Sequence, residues 1–254
     1  MMEAPNMQID WLHQISVSRG SRNPSRKLLW ARGESALNIY PEAKYRVWIE
    51  ADIRKLMLEE FDSEVIWAYD TLVPPEFKVQ LSSYCILYVF GGIYLDIAIE
   101  PVGRLDPPGD CGITAFRPTS EDRTSWIDLH TSFLWSRPRR DEWMAAISRV
   151  IQHCRLRDMG GHPQYPAGGI PLGWAFANTL VGNPSIAARE EQWVGEIRRV
   201  PQRAGACDLS YVAPDGKLVG LRFKEEEIGD GECIISNPAR YREIFEAADV
   251  YRST

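Results

Sequence analysis

One charge interrupts the apolar run from Tyr84 to Ile97, the aspartate Asp96; Ala98 follows two residues on and Glu100 two further. Asp96 at a strand end can cap the next turn, but a carboxylate in an apolar strand is costly unless something meets it, so it reads as a functional group; Glu100, just before Pro101, is either a site residue or a solvated strand end. On a continuous strand, residues 96, 98 and 100 project from one face, giving carboxylate, methyl, carboxylate. Alternate side chains lie about 6.6 Å apart, which separates Asp96 from Glu100 by about 13 Å along a straight strand. One ion is then shared only if the strand bends. Without a metal, such a wall repels a diphosphate and attracts a cation, and a guanidinium matches a fixed carboxylate best.

Around this pair stand further candidates. His13 and Gln14 sit in the first strand, where His13 either contacts a ligand or is satisfied in the core. Ser82, Ser83 and Cys85 read as helix packing residues rather than nucleophiles, since none has the strand-turn-helix context of a nucleophile elbow. His130, His153 and His162 have no metal-ligand spacing and read as surface residues. Two basic stretches break an acidic average: Arg137, Arg139 and Arg140, then Arg198 and Arg199 with Arg203. If both flank one pocket mouth, they bind a phosphate backbone; otherwise they are solvated faces.

The elements that must position these groups alternate between strand and helix. Ile9 to Val17 and Tyr45 to Ile49 read as strands, with a polar loop from Ser18 to Arg26 between them and a helix from Ala51 to Glu60 after. Pro74-Pro75 breaks the chain before a helix from Phe77 to Phe90, which stops at Gly91-Gly92. Ile93 to Ile99 reads as one buried strand, and its C-terminal end should open into the largest pocket. Gly112 to Phe116 and Leu129 to Trp135 are further strands. Asp141 to Cys154 is an amphipathic helix with Trp143, Ile147, Val150 and Ile151 on one face. A Gly/Pro loop from Pro166 to Pro171 precedes a helix around Trp174 to Leu180, and Tyr211 to Phe223 reads as a hairpin turning at Pro214-Asp215-Gly216. This alternation indicates an α/β layer fold, and residues 1–254 show no composition shift that marks a second domain.

Composition sets the outer bounds. In 254 residues, 44% hydrophobic and 25% charged describe an ordinary globular chain, and 9 Trp, 10 Tyr and 8 Phe supply a core. The net charge of -6 gives no general pull toward nucleic acid or anionic lipid. Five separated cysteines without a CxxC pair fit reduced thiols. The first ten residues lack a secretory signal pattern, and the longest apolar run is too short to span a bilayer. The expectation is a soluble cytoplasmic protein with no membrane and no obligate protein partner.

The block from Lys78 to Val102 resembles the signature of DXD-type glycosyltransferases, the group of fungal mannosyltransferases and the glucosylating domains of clostridial toxins. Its pattern is approximately S-D-x-x-R-x-x-x-L-x-x-x-G-G-x-Y-x-D-x-D, and Leu87, Gly91, Gly92, Tyr94 and Asp96 fall on it. WLHQI (Trp11 to Ile15) resembles the family's first strand and YRVWIEAD (Tyr45 to Asp52) its second. The resemblance implies a GT-A-like mixed sheet flanked by helices. It also makes Gln80, Ser83, Tyr94 and Ala98 donor-site positions. There the family's helix aspartate and arginine have become Gln80 and Ser83, its metal-binding second aspartate is Ala98, and its uracil-stacking aromatic is Ser16.

Two enzyme readings and one other follow. The favoured one is a repurposed transferase similar to fungal arginine-containing cyclodipeptide synthases, joining arginine from arginyl-tRNA to a second aminoacyl-tRNA without cofactor. Asp96 and Glu100 would then hold the arginyl group, and Arg137, Arg139, Arg140, Arg198 and Arg199 the tRNA. The alternative is a nucleotide-sugar-dependent glycosyltransferase with a weakened DXD motif, served by Mn²⁺ or Mg²⁺. The third is a non-catalytic module of the same fold.

Overall fold

A helix whose every face is apolar has to be buried, and α4 (Pro75–Phe90) shows it: from Val79 to Leu87 each residue is enclosed. Pro75 starts it at a position that needs no donor. Gly91 stops it with φ 62°, where a Cβ would lie 2.7 Å from the Pro138 nitrogen. Gly92 follows with φ 84° and its missing Cβ 2.5 Å from the Trp11 carbonyl oxygen. Only glycine allows both the left-handed backbone and these approaches.

In the computed structural model, residues 8–17, 26–118, 127–182, 191–200, 207–223 and 238–252 are described, without the side chains of 26–32 and 238–241. The strands are β1 (Trp11–Ser16), β2 (Lys44–Ile49), β3 (Gly92–Leu95), β4 (Ile99–Pro101), β5 (Ile113–Pro118), β6 (His130–Ser136), β7 (Gln192–Arg199), β8 (Cys207–Val212) and β9 (Leu218–Phe223). The other helices are α1 (Arg26–Ile39), α2 (Glu50–Glu60), α3 (Ser63–Thr71), α5 (Asp141–Leu156), α6 (Gly169–Gly182) and α7 (Pro238–Glu246). The strands form one mixed sheet in the order β2-β1-β3-β6-β5-β7-β8-β9-β4. β1, β2 and β3 run parallel, β6 runs against β3, and β5 and β7 run parallel to each other and antiparallel to β6.

This order cannot be flat. β4 stands six strand positions from β3, about 29 Å at the usual inter-strand spacing. Yet the chain from Leu95 to Ile99 spans at most about 14 Å. The sheet therefore curls until β9 and β4 return beside β3. Gly220 of β9 lies against Phe133 of β6, within 3.2 Å of a would-be Cβ, and against Ile99. The curl encloses one core, with Leu95, Ile99, Phe116, Phe133, Tyr211 and Val219. A second core fills the space between the sheet and α2 to α6, with Trp48, Phe77, Tyr84, Trp143 and Phe176 among its largest members.

Most expected elements are present with shifted ends. The amphipathic helix runs Asp141–Leu156 with Trp143, Ile147, Val150 and Ile151 buried, and the hairpin turns at Pro214 to Gly216. Ile93 to Ile99 is different: it is not one strand but β3, a tight turn over Asp96 to Ala98, and β4. The expected polar loop from Ser18 to Arg26 lies outside the described residues up to 25, and Arg26 begins α1.

Candidate functional site

The turn after β3 is built by Asp96 itself. Its backbone oxygen accepts the Ile99 N–H at 2.9 Å and its carboxylate Oδ1 accepts the Ala98 N–H at 2.9 Å. This is the local bond that lets an aspartate close a turn. Its own N–H donates to the Ser132 carbonyl at 2.7 Å, which pins it to β6. Asp96 is 5% exposed and Ala98 is fully buried. Because the strand ends at Leu95, residues 96, 98 and 100 do not share a strand face, which corrects the sequence expectation. Glu100 sits on the edge strand β4, where its Oε1 accepts from the Ser35 hydroxyl at 3.3 Å.

What the fold brings toward Asp96 comes from later in the chain. β6 begins at His130, at the end of β3 where Leu95 pairs with Phe133. β8 begins and β9 ends at that same end of the strands. There Ile99 pairs with Arg222, and the Phe223 N–H donates to the Ala98 carbonyl at 2.9 Å. A bulge between Cys207 and Leu209 takes Asp208 out of the ladder, the usual way a strand re-aims one side chain. Asp208 then binds Arg222 bidentately, with Nε at 2.9 Å and Nη2 at 2.6 Å. Arg222 is 9% exposed. Burial alone would weaken its charge; the Asp208 bond, the Tyr211 hydroxyl and the charges of Asp208 and Asp96 hold its pKa above the ordinary arginine value.

His130 completes the cluster. The Ser132 N–H can only donate, and it reaches His130 Nδ1 at 3.4 Å. Nδ1 is therefore the bare nitrogen, the Tyr211 hydroxyl 3.2 Å away donates to it, and the ring proton belongs on Nε2. Burial, reinforced by the Arg222 charge, pushes the His130 pKa down to about 3. The imidazole stays neutral at physiological pH and offers one N–H. His130, Asp208, Tyr211 and Arg222 carry no sequence signal that joins them; in the sequence His130 reads as a surface residue.

The other expected site residues are mostly bound within the fold. His13 accepts from Trp48 Nε1 at 3.1 Å and donates through Nε2 to the Gly91 carbonyl at 3.0 Å, so both ring nitrogens are used. Burial, with the Arg46 charge adding to it, lowers its pKa to about 4. Gln14 accepts the Tyr45 hydroxyl at 2.6 Å. On α4, Gln80 is buried and the Ser83 hydroxyl donates to the Gln80 carbonyl at 2.8 Å. Tyr94 is buried in the helix-side core.

The two basic stretches do not meet. Gly92 pairs with Ser136, so Arg137, Arg139 and Arg140 follow β6 at the starting end of β3. β7 runs parallel to β5 and hence to β3, so Arg198 and Arg199 lie at the finishing end. Arg139 pairs with Glu60 at 2.8 Å, and Arg140 with Glu142 at 2.9 Å and Glu191 at 2.6 Å. Arg137 donates to the Gly109 carbonyl, and Arg198 pairs with Glu196 at 3.3 Å. Arg203 lies outside the described residues. A cavity of about 440 Å³ also lies at the starting end, lined by Glu60, Phe61, Tyr88, Arg139, Met144 and Ile147 among others. It does not open at Asp96.

A DXD metal does not fit the residues present. Position 98 offers a buried methyl, Asp208 is held bidentately by the Arg222 guanidinium, whose charge Asp96 also meets, and no three His, Cys, Asp or Glu side chains converge as a metal site among the described residues. No helix among the described residues is long and apolar enough to cross a membrane.

Comparison with known proteins gives the fold a precedent. Residues 31–112 match the family described as the glycosyltransferase sugar-binding region containing a DXD motif. No curated protein matches the chain. Among solved structures, the chain is similar to one titled PaToxG Glycosyltransferase, at 16% identity, a TM-score of 0.51, and coverage of 74% of this chain and 79% of that one. The chain thus has a GT-A-like α/β fold. The family match ends before β5, so it includes Asp96 and Ala98 but not His130, Asp208 or Arg222.

Proposed function

We propose that this chain transfers a sugar from a nucleotide-diphosphate donor, bound at the finishing ends of β1 and β3. The observation that supports it most is the placement of Asp96. It directly follows the glycine-initiated β3, beside parallel β1, inside the segment that matches the sugar-binding region. In the transfer, the bond from the sugar's anomeric carbon to the diphosphate breaks and a bond from that carbon to an acceptor hydroxyl forms. The hydroxyl gives up its proton and the diphosphate leaves with the electron pair. Asp96 serves as the fixed acceptor for donor hydroxyls. The leaving charge is met by the arginines placed at this end, Arg117, Arg198, Arg199 and Arg222.

The arginyl-tRNA reading, favoured from the sequence, rests there on two features, and the geometry favours neither. The basic stretches lie at opposite ends of the sheet, so they do not form one clamp on a tRNA. An incoming guanidinium at Asp96 would also meet Arg222, a resident guanidinium of the same charge.

The test is release of UDP or GDP from a panel of nucleotide sugars by the purified full chain. Donor-dependent release in the wild type, reduced at least tenfold in Asp96→Asn, is expected. Absence of release and of any thermal shift across the panel, with a shift on arginine or tRNA instead, would restore the aminoacyl reading.

A further inference from the structure

Position 98 has lost its carboxylate, and the strand that pairs beside it carries a buried cation. β9 sets Arg222 opposite Ile99, one residue beyond Ala98, and the Phe223 N–H to Ala98 carbonyl bond of 2.9 Å locks that register. The Arg222 side chain is 11% exposed and Asp208 34%. A guanidinium this buried is retained only where carboxylates repay its lost hydration. Asp208 supplies two charge-assisted bonds and Asp96 adds its charge across the turn. Two carboxylates and one guanidinium leave the cluster with a net charge of -1. In a DXD pattern the second carboxylate comes from the turn and a divalent ion follows it. Here the second carboxylate comes from the β8 bulge, and the guanidinium that it binds feels the charge of Asp96 as well.

We infer that Arg222 is a resident cation in the place of the divalent ion: by engaging Asp208 and offsetting part of the Asp96 charge it keeps Mn²⁺ and Mg²⁺ out, and ligands bind at this end without metal. The site is the one named above for sugar transfer. The exclusion of metal, however, is a property of these three side chains and is measurable whether or not any sugar is transferred.

The probe is Mn²⁺ alone, followed by the electron paramagnetic resonance of the free aqua ion in titrations of the full chain. Wild type should show no site tighter than about 1 mM. Arg222→Met and Arg222→Gln each remove the cation that Asp208 binds and Asp96 feels. Each should gain at least about tenfold in Mn²⁺ affinity, given a unit charge removed within a few ångströms at an effective dielectric of about 20. Adding Asp96→Asn should abolish the gain, and Arg222→Lys, which keeps the charge, should not show it. Circular dichroism with and without Mn²⁺ checks folding, and a neutral variant that folds only with Mn²⁺ counts as the expected gain. Folded neutral variants that bind no better than wild type would overturn the inference. So would sub-millimolar binding by wild type that is lost in Asp96→Asn, and this arm decides the matter even if neither neutral variant folds.

Discussion

The two ends of β3 solve different problems with different chemistry. At its start, backbone does the work: Gly91 and Gly92 let α4, β1 and the segment after β6 approach within van der Waals contact, and His13 ties the Gly91 carbonyl to Trp48. The ion pair there between Arg139 and Glu60 is about half exposed, at a cavity lined by charged and apolar side chains alike. At its finish, side chains do the work: Asp96, His130, Asp208, Tyr211 and Arg222 arrive from the turn and three other strands, with Asp96, Tyr211 and Arg222 buried and His130 and Asp208 half-buried. An exposed pair contributes little to stability, whereas removing one partner of a buried pair strands a charge. Both ends hold a buried ion pair, Arg140 with the fully buried Glu142 at the start and Arg222 with Asp208 at the finish, and the finishing one lies beside the sugar-binding-region aspartate.

The contrast can be broken first at the backbone. Gly92→Ala requires a left-handed alanine with its Cβ against the Trp11 carbonyl, and should cost about 3 kcal/mol or more in urea denaturation. Next is Asp208→Asn, which leaves Arg222 without its carboxylate. Partial exposure of Asp208 lowers the full buried-pair penalty to about 2–3 kcal/mol, again read by denaturation. A loss as small as that of a surface pair would show the Arg222–Asp208 pair to be no more committed than the exposed Arg139–Glu60 pair.

Each end also holds a histidine that titrates low. His13, at about 4, and His130, at about 3, lie below the value of about 6.5 in an unfolded chain. Between those values the unfolded state binds the extra proton, so stability is complete above about pH 6.5 and falls as pH drops toward 4. For His13, which is 1% exposed, the loss should reach about 2 kcal/mol at a pH of about 5. The pH slope of stability should flatten in His13→Gln; an unchanged slope would exclude burial of a neutral imidazole there. The smallest effect belongs to Arg139→Ala, expected to cost less than about 1 kcal/mol and to leave nucleotide-sugar turnover unchanged. A large loss of turnover would move the functional site to the cavity at the starting end.

Local signals in the sequence sufficed for the elements whose burial follows one helix face or a single apolar run. α4 with its proline start and glycine stop, the face of α5, the first two strands and the 214–216 turn are all legible there, because each depends on propensity and period over a few residues. Asp96 was legible too, as a charge in an apolar run on a family pattern. The break of Ile93 to Ile99 into two strands was not: the run is apolar on both sides, and only the Asp96 turn bonds and the return of β9 separate β3 from β4. Nor was the arrival of Arg222 beside that turn, opposite Ile99 and 126 positions after Asp96 in the chain. Register between distant strands is set by the curl of the whole sheet and by a bulge at Asp208. A buried charge finds its partner through that register rather than through any spacing in the chain.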